Sequence, residues 1–278
     1  VGDHVIKLIL TTRAFNENVK ISKDVITNEY QNLVEMFEQT FDKYRKLPAF
    51  QCMDKSITFD QLDKMSKQFG AYLLSRGLEP GDKIALMMPN LLQYPIALFG
   101  ALRAGLVIVN TNPLYTPREM KHQFSDSGAK AIIIAENFAA NLEKIIHDTP
   151  IKTIIITSIG EMLGAVKGTL TNFIVRTVKG MVPKYNLANT VTFKEALAQG
   201  KKFTLPDLVG KPEDVIVLQY TGGTIVGTNG LCYDIGAIDV GTVNVTFSYL
   251  YSPTEDCVNC TSEAQTTPCP TRTPTPTI

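Results

Sequence analysis

The sequence predicts an α/β protein built on a doubly wound, mainly parallel sheet with flanking helices. The first observation is a set of short apolar runs without a polar face, such as residues 84–88 and 131–134. Runs of this kind are typical of strands buried on both faces in a parallel sheet. The second observation is that helical patterns of about ten or more residues separate these runs, as right-handed βαβ crossovers require.

The first clear unit begins at a capping box. Thr58 can accept a hydrogen bond from the backbone N–H of Gln61 while the Gln61 side chain reaches back to Thr58. This pattern predicts a helix that runs to about Arg76 and ends at Gly77. Turn residues 79–82 then lead into the strand predicted at 84–88.

The later units repeat this order. Residues 91–104 have a helical pattern, and a second capping box at 116–119 has Pro117 at the first helical position. Gly128 closes that helix, and residues 137–147 are predicted as the next one. The remaining strands are predicted at residues 106–109, 131–134, 153–157 and 215–220.

Three loops are candidate binding sites. In doubly wound sheets, ligands bind at the carboxyl ends of the strands, near the point where the strand order reverses. The loops after residues 88, 111 and 220 leave predicted strands at this end.

The strongest local candidate is the segment Thr221-Gly222-Gly223-Thr224, which follows Tyr220. Adjacent glycines let backbone N–H groups approach an anion, and the threonine hydroxyls add donors, so the segment suits a polyphosphate. A simple Gly-Gly turn at the end of a strand is the alternative.

Standard nucleotide and catalytic motifs do not match. Gly222 and Gly227 have the spacing of a P-loop, but Thr228 and Asn229 stand where Lys and Ser or Thr are required, and no G-x-G-x-x-G follows a strand. A P-loop NTPase and a Rossmann dehydrogenase are therefore disfavoured. The histidines are isolated, and no nucleophile elbow or zinc motif occurs, so no catalytic residue or metal ligand is assigned.

The charges divide the chain into two parts. Lys and Arg number 27, as do Asp and Glu, so the net charge of zero gives no general attraction to nucleic acid. Residues 1–211 hold 26 basic and 20 acidic residues, whereas residues 212–278 hold one and seven. The end of the chain is a Thr/Pro tract that cannot build a core, although residues 243–247 alternate like a strand.

The sequence favours a cytoplasmic protein. Its five cysteines form no evident disulfide framework, and neither a secretory signal nor a transmembrane helix is predicted. Residues 160–184 combine apolar residues at helical spacing with basic residues that include Lys167, Arg176 and Lys179. This segment is either a surface helix packed on the domain or a helix that lies on anionic lipid, peripheral to the inner face of the membrane.

Several blocks together resemble the N-terminal part of bacterial long-chain fatty-acid–CoA ligases, which belong to the acyl-adenylate-forming superfamily. The blocks lie at residues 30–38, 85–95, 110–119 and 218–224. The resemblance implies that a fatty-acid carboxylate attacks the α-phosphorus of ATP to give acyl-adenylate and pyrophosphate, after which the thiol of coenzyme A displaces AMP. It thus implies long-chain fatty acid and CoA as substrates, and ATP, Mg²⁺ and coenzyme A as cofactors.

The resemblance also implies that a glycine-rich loop holds the phosphates and positions the α-phosphorus. The residues assigned to this loop are Tyr220, Thr221, Gly222, Gly223, Thr224, Gly227 and Gly230.

The chain departs from the family pattern after Thr224. Asn229 stands where the family has a phosphate-facing lysine, and no Tyr-Gly-x-Thr-Glu segment follows. We therefore expect an N-terminal extension (1–27), a partial AMP-binding domain (28–230) and a non-homologous, disordered tail (231–278). The chain is then a truncated, frame-shifted or chimeric ligase that is inactive by itself. The alternative is a non-catalytic α/β fragment that binds lipid, membrane or a partner.

Overall fold

The computed structural model of the chain describes residues 30, 32–208, 210–211, 214–220, 224–226, 232–234, 237–241 and 245–248. The helices are α1 (Leu33–Lys43), α2 (Phe59–Ser75), α3 (Gln93–Arg103), α4 (Pro117–Ser127), α5 (Ala139–Glu143), α6 (Ala165–Phe173) and α7 (Phe193–Gly200). The strands are β1 (Pro48–Cys52), β2 (Lys55–Thr58), β3 (Lys83–Met87), β4 (Val107–Asn110), β5 (Ala129–Ala135), β6 (Thr153–Thr157), β7 (Thr190–Thr192), β8 (Val215–Gln219), β9 (Thr224–Val226), β10 (Cys232–Asp234), β11 (Ala237–Gly241) and β12 (Val245–Ser248).

The main sheet has the order β12-β11-β8-β4-β3-β5-β6-β7. The six strands from β8 to β7 are parallel, whereas β11 and β12 are antiparallel to their neighbours. The strand order reverses at β3, because β4 lies on one side of it and β5 on the other. The predicted doubly wound, mainly parallel α/β fold is confirmed.

The two faces of the sheet bury two separate groups of side chains. Ile84 and Leu86 of β3 point to a core that includes Phe69 of α2. Ala85 and Met87 point to the opposite core, which includes Phe124 of α4. Because both faces of β3 are covered by helices, the strand is apolar at every one of these positions and shows no alternation.

Helices α2 and α3 cross at a pair of glycines. A Cβ atom on Gly70 would lie 2.6 Å from the carbonyl oxygen of Gly100, and one on Gly100 would lie 2.8 Å from that of Ser66. Beside this crossing, the buried guanidinium of Arg103 donates to Glu38 of α1 (2.6 Å) and Asp63 of α2 (2.7 Å). Small residues thus allow the close approach, and one arginine joins three helices.

Both predicted capping boxes are present, at Thr58 with Gln61 and at Thr116 with Glu119. Gly128 ends α4 in the left-handed conformation, with a φ of 65°. Local hydrogen bonding fixes these boundaries, which is why the sequence alone identifies them.

The single helix predicted at residues 137–147 is wrong. The structure has a 3₁₀ turn at Glu136–Phe138, the short α5, and a second 3₁₀ turn at Ile146–Asp148. Pro150 explains the end, since a residue before proline avoids helical geometry and Thr149 is extended. At the start of this segment, the Asn137 side chain donates to the carbonyl oxygen of Met181 (3.0 Å), a residue 44 positions away.

Some elements were not predicted. Strands β1 and β2 form a hairpin whose turn holds Met53 and Asp54 at φ angles of 48° and 59°. These residues lack the Asn-Gly or Asp-Gly signal of such a turn. A third capping box, Thr192 with Glu195, opens α7.

The predicted N-terminal extension and residues 249–278 lie outside the described residues, and the boundary at residue 230 stays a prediction. Residues 231–278 were expected to form a non-homologous, disordered tail, and strands β10, β11 and β12 fall within them. Strand β12 covers part of the strand-like residues 243–247 and pairs with β11, which pairs with β8. None of the helices in the described ranges combines the length and the apolar composition that a membrane span requires.

Candidate functional site

The three candidate loops leave the same edge of the sheet. They follow β3, β4 and β8, which are adjacent and parallel in the order β8-β4-β3. The loops after residues 88, 111 and 220 therefore lie side by side at the carboxyl ends of these strands. This edge contains the reversal of strand order, where doubly wound proteins bind ligands.

A chain of hydrogen bonds ties the ends of these strands together. The Tyr94 hydroxyl donates to Asn110 Oδ1 (2.8 Å), and Asn110 Nδ2 donates to Gln219 Oε1 (2.9 Å). Gln219 Nε2 in turn donates to the carbonyl oxygen of Tyr220 (3.1 Å). On the other side, Gln123 Nε2 of α4 donates to the carbonyl oxygen of Asn110 (2.9 Å). Asn110 thus connects α3, α4 and β8 at the base of the candidate site.

Tyr220 is the described residue that leads into the glycine-rich segment. Its hydroxyl donates to Asp126 Oδ2 of α4. Burial raises the pKa of Tyr220, and the neighbouring Asp126 carboxylate raises it further. The hydroxyl therefore stays protonated near neutral pH and remains a donor. This contact fixes the residue before Thr221 against α4.

The other predicted site residues are placed only in part. Thr224 begins β9, which is antiparallel to β10. Thr221, Gly222, Gly223, Gly227 and Gly230 lie outside the described residues, so the predicted phosphate contacts of all seven residues stay a prediction. Sequence inspection missed Tyr94, Asn110 and Gln219, although the polar residue directly after the apolar run of β4 is a signal that could have identified Asn110.

The side chains that form the hydrogen-bond chain at this edge are neutral. Tyr94, Asn110, Gln123 and Gln219 supply hydroxyl and amide groups, and the loop after β4 is shaped by Asn112, whose Oδ1 accepts from the backbone N–H of Leu114 (3.0 Å). Among the residues with described side chains, no group of three or more His, Cys, Asp and Glu is placed to hold a metal ion. We therefore assign no ligand for Mg²⁺ in this part of the chain.

The carboxyl end of β6 carries a second polar group, separate from the first. Gln93, the residue before Tyr94, is buried and its Nε2 donates to Thr157 Oγ1 (3.0 Å) and to the carbonyl oxygen of Ser158 (2.9 Å). Glu161 is also buried and accepts from Thr157 Oγ1 (2.7 Å), from the N–H of Ser158 (3.2 Å) and from the N–H of Lys194 (2.9 Å). This cluster closes the loop after β6 onto α3 and α7.

The sheet defines a doubly wound α/β protein, a class whose members bind ligands at the carboxyl ends of the strands. Comparison with known proteins specifies the class further. The model of the family described as AMP-binding enzyme matches residues 37–225, and the chain belongs to this family. This match includes β3, β4, β8 and the segment 220–224.

The relatives are more specific. The chain is 46% identical over 243 residues to a long-chain-fatty-acid–CoA ligase of Escherichia coli O157:H7, which covers 86% of this chain and 43% of the relative. It is 49% identical over 207 residues to a ligase of the same description from Salmonella typhimurium, covering 73% of this chain and 36% of the relative. The chain thus spans less than half the length of these two relatives.

Solved structures support the fold. An anthranilate CoA ligase in complex with anthranoyl-AMP matches with a TM-score of 0.57 and 18% identity, covering 76% of this chain and 35% of that one. A long-chain-fatty-acid-CoA ligase from Archaeoglobus fulgidus matches with a TM-score of 0.55 and 17% identity, covering 76% of this chain and 37% of that one. The fold of this chain is therefore that of part of these two ligases.

Proposed function

We propose that this chain is the N-terminal part of an enzyme that activates long-chain fatty acids as CoA thioesters. The observation that carries the proposal is the identity of 46–49% to bacterial long-chain-fatty-acid–CoA ligases over an alignment that includes the candidate edge. Because the chain spans 43% or less of these relatives, the activity of the whole protein is inferred from them.

The proposed reaction has two steps. A carboxylate oxygen of the fatty acid bonds to the α-phosphorus of ATP, the bond to the bridging oxygen breaks, and pyrophosphate leaves. The sulfur of coenzyme A then bonds to the acyl carbon, AMP leaves with the carboxyl oxygen, and the thiol proton passes to solvent. Mg²⁺ would accompany ATP and neutralise charge on its phosphates. Adenylation is needed because a free carboxylate is a poor acyl donor.

Two groups of residues have roles in this proposal. The seven predicted loop residues, from Tyr220 to Gly230, would hold the ATP phosphates through backbone N–H groups and hydroxyls. Asn110, Gln219 and Tyr94 would position that loop without touching the nucleotide, because their side chains are bonded to one another and to the start of the loop.

We further propose that the 278-residue chain does not complete the reaction alone. The family match ends at residue 225, and Asn229 supplies no positive charge where the resemblance expects a lysine. The boundary between the partial domain and the tail at residue 230 belongs to the same proposal. A cytoplasmic location is also proposed, on the basis of cysteine usage.

A chimera tests the function. Residues 28–224 of this chain are joined to the corresponding remainder of the E. coli relative and supplied with palmitate, ATP, Mg²⁺ and CoA. We expect formation of AMP and palmitoyl-CoA, while the 278-residue chain forms neither. A Gly222→Val, Gly223→Val chimera is the control and should lose activity, because side chains block the approach of phosphate to backbone N–H groups. A folded but inactive chimera would contradict the proposal.

A further inference from the structure

Helix α4 joins the loop after β4 to the residue that follows β8. The helix begins at the capping box of Thr116, directly after that loop. Further along the helix, Gln123 Nε2 donates to the carbonyl oxygen of Asn110 at the end of β4 (2.9 Å). Asp126 accepts from the hydroxyl of Tyr220, the residue after β8. Because Gln123 and Asp126 are three positions apart, one face of α4 contacts the ends of both strands.

Tyr220 is held at three points. Its ring is partly buried and packs against the core on the α4 side of the sheet, which includes Phe124. Its hydroxyl donates to Asp126 Oδ2, and its carbonyl oxygen accepts from Gln219 Nε2 (3.1 Å). The two hydrogen bonds are directional, so they fix the orientation of the ring and of the carbonyl group. Because a trans peptide is planar, holding this oxygen also restricts the direction in which the chain leaves β8.

The Tyr220 hydroxyl is committed to its contact with α4. A phenol has one proton to donate, and a charged carboxylate is a strong acceptor for it. Burial raises the pKa of Tyr220, and the Asp126 carboxylate raises it further, so the hydroxyl keeps this proton near neutral pH. A phosphate could take the hydrogen bond only by displacing Asp126, which carries charge of the same sign. The side chain of Tyr220 is therefore suited to hold the strand end rather than to bind an anion.

The place of this contact indicates its role better than its strength does. Asp126 is exposed, and polar contacts at exposed positions add little to the stability of a domain. Yet the hydrogen bond joins residues 94 positions apart, and Tyr220 directly precedes Thr221, the first residue of the Thr-Gly-Gly-Thr segment. Losing the bond would thus leave the fold nearly as stable and release the residue that leads into this segment.

We propose that Asp126 is a positioning residue for the nucleotide, which acts by fixing Tyr220, and that the Tyr220 hydroxyl itself makes no contact with ATP. This role rests on the proposed function, because it assigns ATP to the β8-β4-β3 edge. It also changes the part given to Tyr220, which serves the phosphate-binding segment through the position of its backbone. A direct hydrogen bond from the Tyr220 hydroxyl to a phosphate is the alternative that the test separates.

A double-mutant cycle on the full chain tests the proposal. Calorimetry measures the binding of ATP with Mg²⁺ to Tyr220→Phe, to Asp126→Leu and to the double variant. Each single change should weaken binding about fivefold. The double change should also weaken it about fivefold, because all three variants lack the same hydrogen bond. Asp126→Asn should retain most of the affinity, since its amide oxygen can still accept from the hydroxyl.

Amide hydrogen exchange of the nucleotide-free chain gives a second measurement. Exchange in peptides that cover residues 215–224 should be about fivefold faster in Tyr220→Phe and Asp126→Leu, while stability in urea stays nearly unchanged.

Tyr185→Phe and Asp148→Leu are the matched controls. Tyr185 is another partly buried tyrosine that packs against the same core, and Asp148 is an exposed carboxylate bonded to Lys121 of α4 (2.7 Å). Both controls should leave ATP affinity and exchange at 215–224 unchanged within about twofold. Circular dichroism checks that every variant is folded.

Three results would overturn the proposal. They are unchanged ATP affinity in folded Asp126→Leu, equal loss of affinity in the matched controls, and losses in Tyr220→Phe and Asp126→Leu that multiply in the double variant. The last result would place the Tyr220 hydroxyl on the nucleotide. Absence of ATP binding by the wild-type chain would instead contradict the proposed function, and faster exchange at 215–224 in the two single variants would still identify Asp126 as the residue that fixes Tyr220.

Discussion

The carboxyl ends of β6 and of β4 with β8 carry similar polar groups but are built for different purposes. At β6, Glu161 sits in the protein interior and accepts three hydrogen bonds, two of them from backbone N–H groups. At β4 and β8, Asn110 and Gln219 are only partly buried, and their hydrogen bonds end at Tyr220, where the glycine-rich segment begins. Consecutive residues of α3, Gln93 and Tyr94, each serve one of these clusters.

Under the proposed function, this difference separates residues that stabilise the fold from residues that support a binding loop. A buried carboxylate with every oxygen bonded closes the β6 loop, because removing it would leave several donors without partners. Neutral amides at the ends of β4 and β8 join these two strands, and in the loop after β4 Leu114 is exposed. The following variants test this division, from the largest expected loss of stability to the smallest.

Glu161→Ala should have the largest effect. It leaves the N–H groups of Ser158 and Lys194 and the Thr157 hydroxyl without their acceptor inside the protein. We expect the free energy of unfolding to fall by about 3 kcal/mol, measured by urea denaturation. Glu119→Ala is the matched control, since it removes an exposed capping-box carboxylate and should cost about 1 kcal/mol. Equal losses for the two variants would contradict the claim that the buried Glu161 carboxylate holds the loop after β6 in place.

Gly168→Ala should come next. The added methyl group would meet the carbonyl oxygen of Gly160 at 2.3 Å, and backbone must move to relieve this contact. A loss of about 2 kcal/mol is expected, together with faster amide hydrogen exchange in α6. Gly210→Ala serves as control because its nearest heavy atom would lie at 3.6 Å, an ordinary contact. A neutral effect of Gly168→Ala would show that α6 is not held by this approach.

Asn110→Ala breaks the hydrogen-bond chain at the ends of β4 and β8. Its bonds to Tyr94 and Gln219 are partly exposed, so stability should fall by only about 1 kcal/mol. Binding of ATP with Mg²⁺, measured by calorimetry, should weaken about tenfold because the loop after Tyr220 loses its support, a difference of about 1.4 kcal/mol. Asn141→Ala, on α5, is the control for a surface asparagine. Unchanged ATP affinity for Asn110→Ala would place the nucleotide elsewhere.

The pH dependence of stability at Asp82 tests the opposite end of the sheet, just before β3. Burial alone would raise the pKa of Asp82, but the hydrogen bond from Lys130 (2.6 Å) and the N–H of Glu79 (3.0 Å) outweigh it and hold the pKa below its ordinary 3.8. The carboxylate therefore stabilises the fold above about pH 4, and this stability is lost as pH falls through the lowered pKa.

Asp82→Asn should then be less stable than the wild type by about 1 kcal/mol or less at neutral pH. The difference should shrink as pH falls below about 4. Asp54→Asn, at a largely exposed position, provides the comparison. A difference that grows on acidification would contradict the sign of the pKa shift.

Local signals in the sequence predicted most of the parallel core. The capping boxes at Thr58 and Thr116 each involve two residues three positions apart. The apolar composition of strand β3 indicates burial on both faces. The hairpin of β1 and β2 was missed because Met53 and Asp54 adopt left-handed backbone angles without a glycine to signal them.

The site was predictable only in outline. The strand-end rule predicted that the three candidate loops lie together, but the bond between Asn110 and Gln219 joins residues 109 positions apart, and nothing near either residue indicates the partner. The same holds for Gln93 and Thr157, which are 64 positions apart. Neighbouring residues of one helix turn therefore belong to different clusters, a division that only the strand order reveals.

The most direct test is amide hydrogen exchange of the full chain with and without ATP and Mg²⁺. We expect slower exchange in peptides that cover residues 110–116 and 219–224, and no change at residues 157–161. Protection confined to 157–161, or none anywhere at millimolar ATP, would contradict the assignment of nucleotide binding to the β8-β4-β3 edge.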